Sequence, residues 1–195
     1  PLTVAEAQMS LKTGKGQIIG IRIANPAGFE IGDALHAPLI QLKVDAAKPA
    51  GKAIRINELV IDRPIVTLDI VDGRANWVRL RDGARAWARR AENPDEAAAS
   101  GQAFVIDQVV LSNGTLVLRA DFLGEQTLEA PLPDARIKDI GTINEGALPA
   151  EVALAITEML VTAAERASRR FDLEALAAKN GETTGGLNLT TLLSE

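Results

Sequence analysis

The residues able to do chemistry are few and widely spaced. The chain has a single histidine, His36, and no cysteine. Without thiols there is no disulfide, no cysteine nucleophile and no zinc–cysteine site, and His36 has no second imidazole to join. A Ser-His-Asp relay built on it lacks its usual helpers, so His36 reads as a strand-end or loop residue. Gly14-Lys15-Gly16 has neither the spacing nor the Lys-Ser/Thr pair of a phosphate-binding loop, and a strand pattern rather than a helix follows it. It reads as a turn. The carboxylates are scattered; no run alternates acidic ligands as a calcium loop does, and nothing in the sequence points to a glycosidase pair. Asn113-Gly114-Thr115 and Asn188-Leu189-Thr190 fit the glycosylation pattern, the first being better explained as a turn. No catalytic, cofactor-binding or metal-ligating residue is expected, and no cofactor.

One surface cluster remains. Arg85, Trp87, Arg89 and Arg90 fall close together, and arginines beside an interfacial aromatic suit lipid headgroups or an acidic partner. Against that reading, Glu92, Asp95 and Glu96 dilute the charge within a screening length, as on a solvated helix.

The elements that must carry these residues come from an aliphatic chain. Of its 195 residues 47% are hydrophobic and only 3% aromatic, and the net charge is -5. A nucleic-acid partner is therefore not expected, since there is no basic excess to displace counterions and few rings for bases to stack on. No apolar run is long enough to span a bilayer, and Pro1-Leu2-Thr3 does not open a charged-then-apolar leader.

A pattern recurs along the chain. Ile18 to Pro26, Ile56 to Pro64 and Ile106 to Gly114 each read apolar, two variable, apolar, variable, apolar, variable, polar, then Pro or Gly. The second and third copies match further, Ile54 with Phe104, Val66 with Leu116 and Leu68 with Leu118. Within each, the apolar positions change parity, from Ile54 and Ile56 to Leu59 and Ile61, and from Phe104 and Ile106 to Val109 and Leu111. Strand faces alternate with period two, so a shared parity change predicts a β-bulge or bend there.

Each unit is then expected to turn: Asn113-Gly114 as a type I′ hairpin, Arg63-Pro64 and Asn25-Pro26 as strand breaks, Asp72-Gly73 as the next reversal. Further strands are expected over Thr3 to Leu11, Leu35 to Asp45, Gln126 to Ala130 and Ala135 to Ile140, paired mostly in sequence and antiparallel. Residues 81–101, alanine-rich and charged, predict a surface insertion with a short helix ending before Pro94. Residues 148–171 predict the main helix, with Pro149 in its first turn, Glu151 and Arg166 suiting its dipole, and an apolar stripe through Val152, Ile156, Met159 and Leu160. A shorter helix is expected over Leu173 to Ala178. One domain over 1–180 with a flexible tail, 181–195, completes the expected layout.

The string Ile21-Arg22-Ile23-Ala24-Asn25-Pro26-Ala27-Gly28-Phe29 resembles the strand, Asn-Pro, Gly-Phe opening of the AsmA-like family of cell-envelope proteins, and Ile56 to Val66 continuing through Gly73-Arg74-Ala75-Asn76-Trp77 resembles that family's strand, Pro, strand, Gly, Asn-apolar unit. The likeness implies a periplasmic domain that normally follows an N-terminal inner-membrane anchor, here absent from the chain. It also implies a part in outer-membrane lipid or protein homeostasis, and it brings no catalytic residue with it.

The expected fold is thus α+β and predominantly β: a curved antiparallel sheet of repeated strand–turn–strand units, with the C-terminal amphipathic helix packed on it. The expected role is non-enzymatic, with a lipid or acyl chain, or an envelope protein, as partner. A closed-core scaffold or assembly module without ligand is the alternative.

Overall fold

A computed structural model describes residues 1–10, 12–44, 53–91, 93, 102–142 and 145–172. The order is β1 (Leu2–Thr3), β2 (Glu6–Ser10), β3 (Lys15–Ala24), β4 (Asp33–Val44), β5 (Ile54–Asp62), β6 (Ile65–Val71), β7 (Arg74–Ala75), α1 (Asn76–Ala91), β8 (Phe104–Ser112), β9 (Thr115–Ala120), β10 (Leu128–Pro131), β11 (Ala135–Ile140) and α2 (Pro149–Ser168). The protein is α+β and mostly β, and its strands form one sheet that does not close on itself. No helix among the described residues is long and apolar enough to cross a membrane.

Several of these strands are halves of longer ones. β4 pairs antiparallel with β5 (Leu39↔Asp62, Ile40↔Ile61) and, in the same register, with β6 (Leu35↔Val66, His36↔Ile65). β5 and β6 are therefore one line of chain, interrupted at Arg63-Pro64. β8 and β9 form a second such line, interrupted at Asn113-Gly114, and run parallel to the first with Ile56↔Ile106 and Val66↔Leu116. β10 and β11 lie antiparallel to that line in one register, as do β1 and β2 against β3.

Asn113-Gly114 thus does not form the hairpin expected from sequence. A type I′ turn needs positive φ at both central residues, but only Asn113 (φ 57) has it, as does Arg63 (φ 51) at the corresponding place. A single left-handed residue shifts the parity of the strand without reversing the chain. Asn113 is held there by donating from Nδ2 to Asp62 Oδ1 (3.0 Å) while its N–H donates to Asp134 Oδ1 (3.1 Å). Gly114 is needed for close approach: a Cβ there would stand 2.9 Å from Leu132 Cδ2. In contrast, Asp72 (φ 49) and Gly73 (φ 67) do make a two-residue reversal, joining β6 to β7.

The interruptions align across the sheet. Gly20 (φ 66) lies in β3 where β1 gives way to β2, and a Cβ on it would be 2.9 Å from Ala5 Cβ. Pro38 sits in β4 opposite the Arg63 break, where a residue without an N–H costs no ladder bond. At this crease the buried positions change parity, from Ile40 to Leu35 and Ala37, from Ile61 to Val66, and from Leu111 to Leu116. A second irregularity falls at the predicted parity change: the β4–β5 register slips where Lys43 pairs with Glu58 but Val44 with Ile56.

The expected antiparallel order also fails between the second and third units. Parallel neighbours need a crossover of a dozen or more residues, and the chain supplies one through β7 and α1. The helix begins at Asn76, ahead of the expected insertion at residues 81–101. It is also not merely a surface feature: Ala88 and Ala91 are buried with Ala150 of α2, their small side chains letting the helices approach. Residues 94–101, the expected helix at 173–178 and the tail at 181–195 lie outside the described residues.

α2 starts as expected. Pro149 occupies its first turn, and the Glu151 carboxylate accepts the Leu148 N–H (2.6 Å). Its stripe of Met159, Leu160, Ala163, Ala164 and Ala167 joins Ile56, Leu59, Ile106, Val109, Leu116 and Leu118 in one continuous core.

Candidate functional site

The densest polar constellation lies where β4 leaves the sheet. β4 begins at Asp33, so β6 loses that neighbour beyond Val66. Backbone groups on a buried edge need partners, and α1 provides them. Asn76, fully buried, presents an amide that acts as a substitute peptide: Nδ2 donates to Thr67 O (2.9 Å), and Oδ1 accepts from Asp69 N (3.0 Å). Trp77 Nε1 also donates to Thr67 O (2.9 Å).

The second hydrogen of Asn76 Nδ2 goes to Asn25 Oδ1 (2.7 Å), and Asn25 Nδ2 donates to Glu30 O (3.0 Å) and Asp69 Oδ2 (3.1 Å). Asp69 Oδ2 also accepts from Glu30 N (3.0 Å) and Arg119 Nη2 (3.4 Å), while Arg119 Nη1 reaches Glu30 Oε2 (3.2 Å). Residues from the 25–32 loop, β6, α1 and β9 are thereby tied into one clasp. It borders a cleft of about 620 Å³ lined by Phe29, Glu30, Arg119 and Asp121 among others.

Burial pushes the Asp69 carboxyl above its ordinary range, outweighing the Glu30 N–H and the Arg119 charge that favour ionisation. A raised carboxyl in a cleft is a standard mark of an acid catalyst, yet Asp69 does not fit that part. It is 1% exposed, and Oδ2 is already committed to three donors. Arg119 is likewise divided between two carboxylates. The arrangement ties the 25–32 loop to β6, α1 and β9.

A second concavity of about 490 Å³ runs between β11 and α2. Ile137, Ile140, Met159 and Ala163 give it an apolar floor, and Arg136, Lys138 and Arg166 stand around it with Asp134 and Glu158. Among the described residues β11 pairs only with β8, so its other edge opens here.

The arginine–tryptophan cluster lies on α1, with Arg85 drawn apart from the other three. Arg85 turns to α2, pairing with Glu158 (3.3 Å) and with Asp82 (4.0 Å). Trp87 is 43% exposed, and Arg89 and Arg90 project from the last turn of the helix. His36 is a half-buried strand residue paired with Arg22 and Ile65, and Gly14 sits in the turn between β2 and β3. Among the described residues no three His, Asp or Glu side chains converge as metal ligands.

Sequence reasoning missed Asp69 and Arg119 as a pair. They are register partners in the parallel β6–β9 pairing, and the matching of Val66 with Leu116 and Leu68 with Leu118 places them at equivalent positions. Asn25 and Asn76 were visible only as parts of the motifs.

No protein-family model, curated protein or solved structure matches this chain.

Proposed function

We propose that the chain is a non-enzymatic domain of the bacterial envelope, akin to the AsmA-like family, acting as a structural or assembly module with a closed core. In this reading the sheet is a curved stack of repeated units, each one broken strand, and the Asn25, Asp69 and Asn76 clasp is what the family-like motifs are for. The periplasm is the compartment, with tethering to the inner membrane through a segment outside this chain, and the partner is an envelope protein.

One observation carries the choice between scaffold and lipid carrier. The aliphatic positions that could line an acyl groove are occupied by packing: Ile106 is 1% exposed, and Val109, Leu116 and Leu118 are 0% exposed beneath α2. Each CH₂ of a bound chain would gain about 0.8 kcal/mol only where such surface is open to it. The lipid reading keeps one specific support, the β11–α2 groove with its apolar floor and a rim of three basic and two acidic residues. Organic extraction of the purified protein followed by mass spectrometry, with a fluorescent fatty-acid titration, separates the two. The scaffold reading expects neither stoichiometric lipid nor saturable binding. Recovery of about one lipid per chain, lost on Ile137→Glu, would replace it with the carrier.

A further inference from the structure

Among the described residues both outer edges of the sheet are unpaired, and they match each other. We propose that copies of this chain associate head to tail, the β1–β2 edge of one copy adding as a strand to the β10–β11 edge of the next. This rests on the assembly reading above and names its partner: a second copy of the chain.

The strand directions permit it by translation alone. β1–β2 runs antiparallel to β3, β3 to β4 and β4 to β5–β6; β8–β9 is parallel to the last, and β10–β11 antiparallel again. The two edge lines therefore point the same way. Each is broken at the crease, one at Val4-Ala5 and the other at Leu132 to Asp134, and β1 and β10 lie on the same side of it. An incoming β1–β2 can meet β10–β11 with the creases in line. A straight strand could not follow that edge along its whole length.

The faces agree as well. Ala7 and Met9 pair with Ile18 and Gly16, so they continue the inner row, and Ala135 and Ile137 do so at the other edge, opposite Leu111 and Val109. Alignment of the creases brings Met9 beside Ile137, in the groove that Met159 of α2 walls. Leu2, Val4 and Met9 are 62%, 46% and 49% exposed, an unusual concentration of apolar surface on one short edge. An edge with free N–H and C=O groups is a template for pairing. On the outer row the same alignment sets Gln8 beside Arg136, with Glu6 one step away on the diagonal, about 7–8 Å and within reach of an arginine. Glu6, Arg136 and Lys138 are all exposed. Asp134, the neighbour that Glu6 would meet, already accepts the Asn113 N–H.

A head-to-tail contact does not close on two copies, so it extends. The test is sedimentation velocity and light scattering of the full chain over a wide concentration series, with wild type, Glu6→Arg, Arg136→Glu and the double variant. Mass should rise past a dimer with concentration. Each single variant should weaken association about tenfold or more by setting like charges together, and the double variant should recover it. Unchanged urea midpoints would show that the exposed substitutions leave the fold alone. A single-chain mass at every concentration, a species that stops at two copies, or single swaps without effect would each overturn the proposal. Lipid recovered in the extraction experiment would instead remove the scaffold reading and leave this mass series standing.

Discussion

β5 and β6 are two halves of one line of chain, yet they live in different surroundings. β5 alternates buried with more exposed residues: Ile56, Leu59 and Ile61 face the core, while Arg55, Glu58 and Asp62 face outward. From Val66 to Ile70, β6 is buried without a break, Thr67 and Asp69 included. On β5 the outer side chains form ion pairs in the open, Arg55 with Asp107 (2.9 Å) and Glu58 with Lys43. On β6 the equivalent face is closed over by the 25–32 loop and α1. The same alternation of types therefore yields a solvated charge ladder on one side of the crease and a load of buried polar groups on the other. Polar residues on β5 serve solubility; on β6 they hold the loop and helix in place.

The inner face that both halves share is the most sensitive to substitution. Ile106→Asp buries an unpaired charge in the strand beside β5, and the cost should exceed about 4 kcal/mol, enough to abolish the cooperative urea transition followed by circular dichroism. A cooperative transition near the wild-type midpoint would show that the shared inner face is not the core described.

Asn76→Ala tests the β6 side alone. It strands Asp69 N and Asn25 Oδ1, and removes one of two donors to Thr67 O. A loss of about 2–3 kcal/mol is expected from the urea midpoint, with faster hydrogen exchange over residues 25–32. A change under about 0.5 kcal/mol would mean that the clasp is not holding the loop.

The pH dependence sharpens the contrast. Asp69 has its pKa raised by folding, so the folded state holds a proton that the unfolded chain releases. Its contribution makes stability fall as pH climbs from the usual carboxylate range through the raised value, and level off above it. Wild type should therefore lose stability relative to Asp69→Asn as pH rises above the ordinary carboxylate range, the difference levelling off once the carboxyl has ionised. Glu58 has the opposite sign: the hydrogen bond from Lys43, the largest influence, holds its carboxyl below the usual range. That contribution is present above the ordinary value and lost as pH falls. Parallel pH curves for wild type and Asp69→Asn would place the raised carboxyl elsewhere.

The smallest effect belongs to β5. Arg55 and Asp107 are about a third exposed, and such pairs contribute roughly 0–1 kcal/mol. Arg55→Ala should shift the midpoint by less than about 1 kcal/mol, and added salt should shrink the shift further. An effect as large as that of Asn76→Ala would erase the distinction between the two halves.

Much of β5 was legible because its chemistry is local. Alternation with one exposed face writes itself into residue types, and the parity change between Ile56 and Leu59 corresponds to the slip seen opposite Lys43 and Val44. Asp69 was not legible, since an outward polar residue on a strand looks the same whether water or a loop covers it. Asn113-Gly114 was misread for a related reason. The dipeptide permits a reversal, but the φ it adopts depends on Arg63-Pro64 alongside it, where the neighbouring line keeps its direction. The start of α1 was missed because Asn76 and Trp77 stood out only as the Asn-apolar end of a repeated unit, and their bonds to β6 form only in the folded chain.

Residue order alone is enough to say where the chain extends, where α2 coils and which side of each strand is aliphatic, because period and proline or glycine placement act over a few residues. Folding in three dimensions sets the rest: β5–β6 and β8–β9 run parallel, the breaks line up into one crease, and Asn25, Asp69, Asn76 and Arg119 meet. Those outcomes depend on the crossover through α1 and on which backbone edges β4 leaves uncovered. Both bring together groups from distant stretches of the chain, beyond the reach of any local pattern.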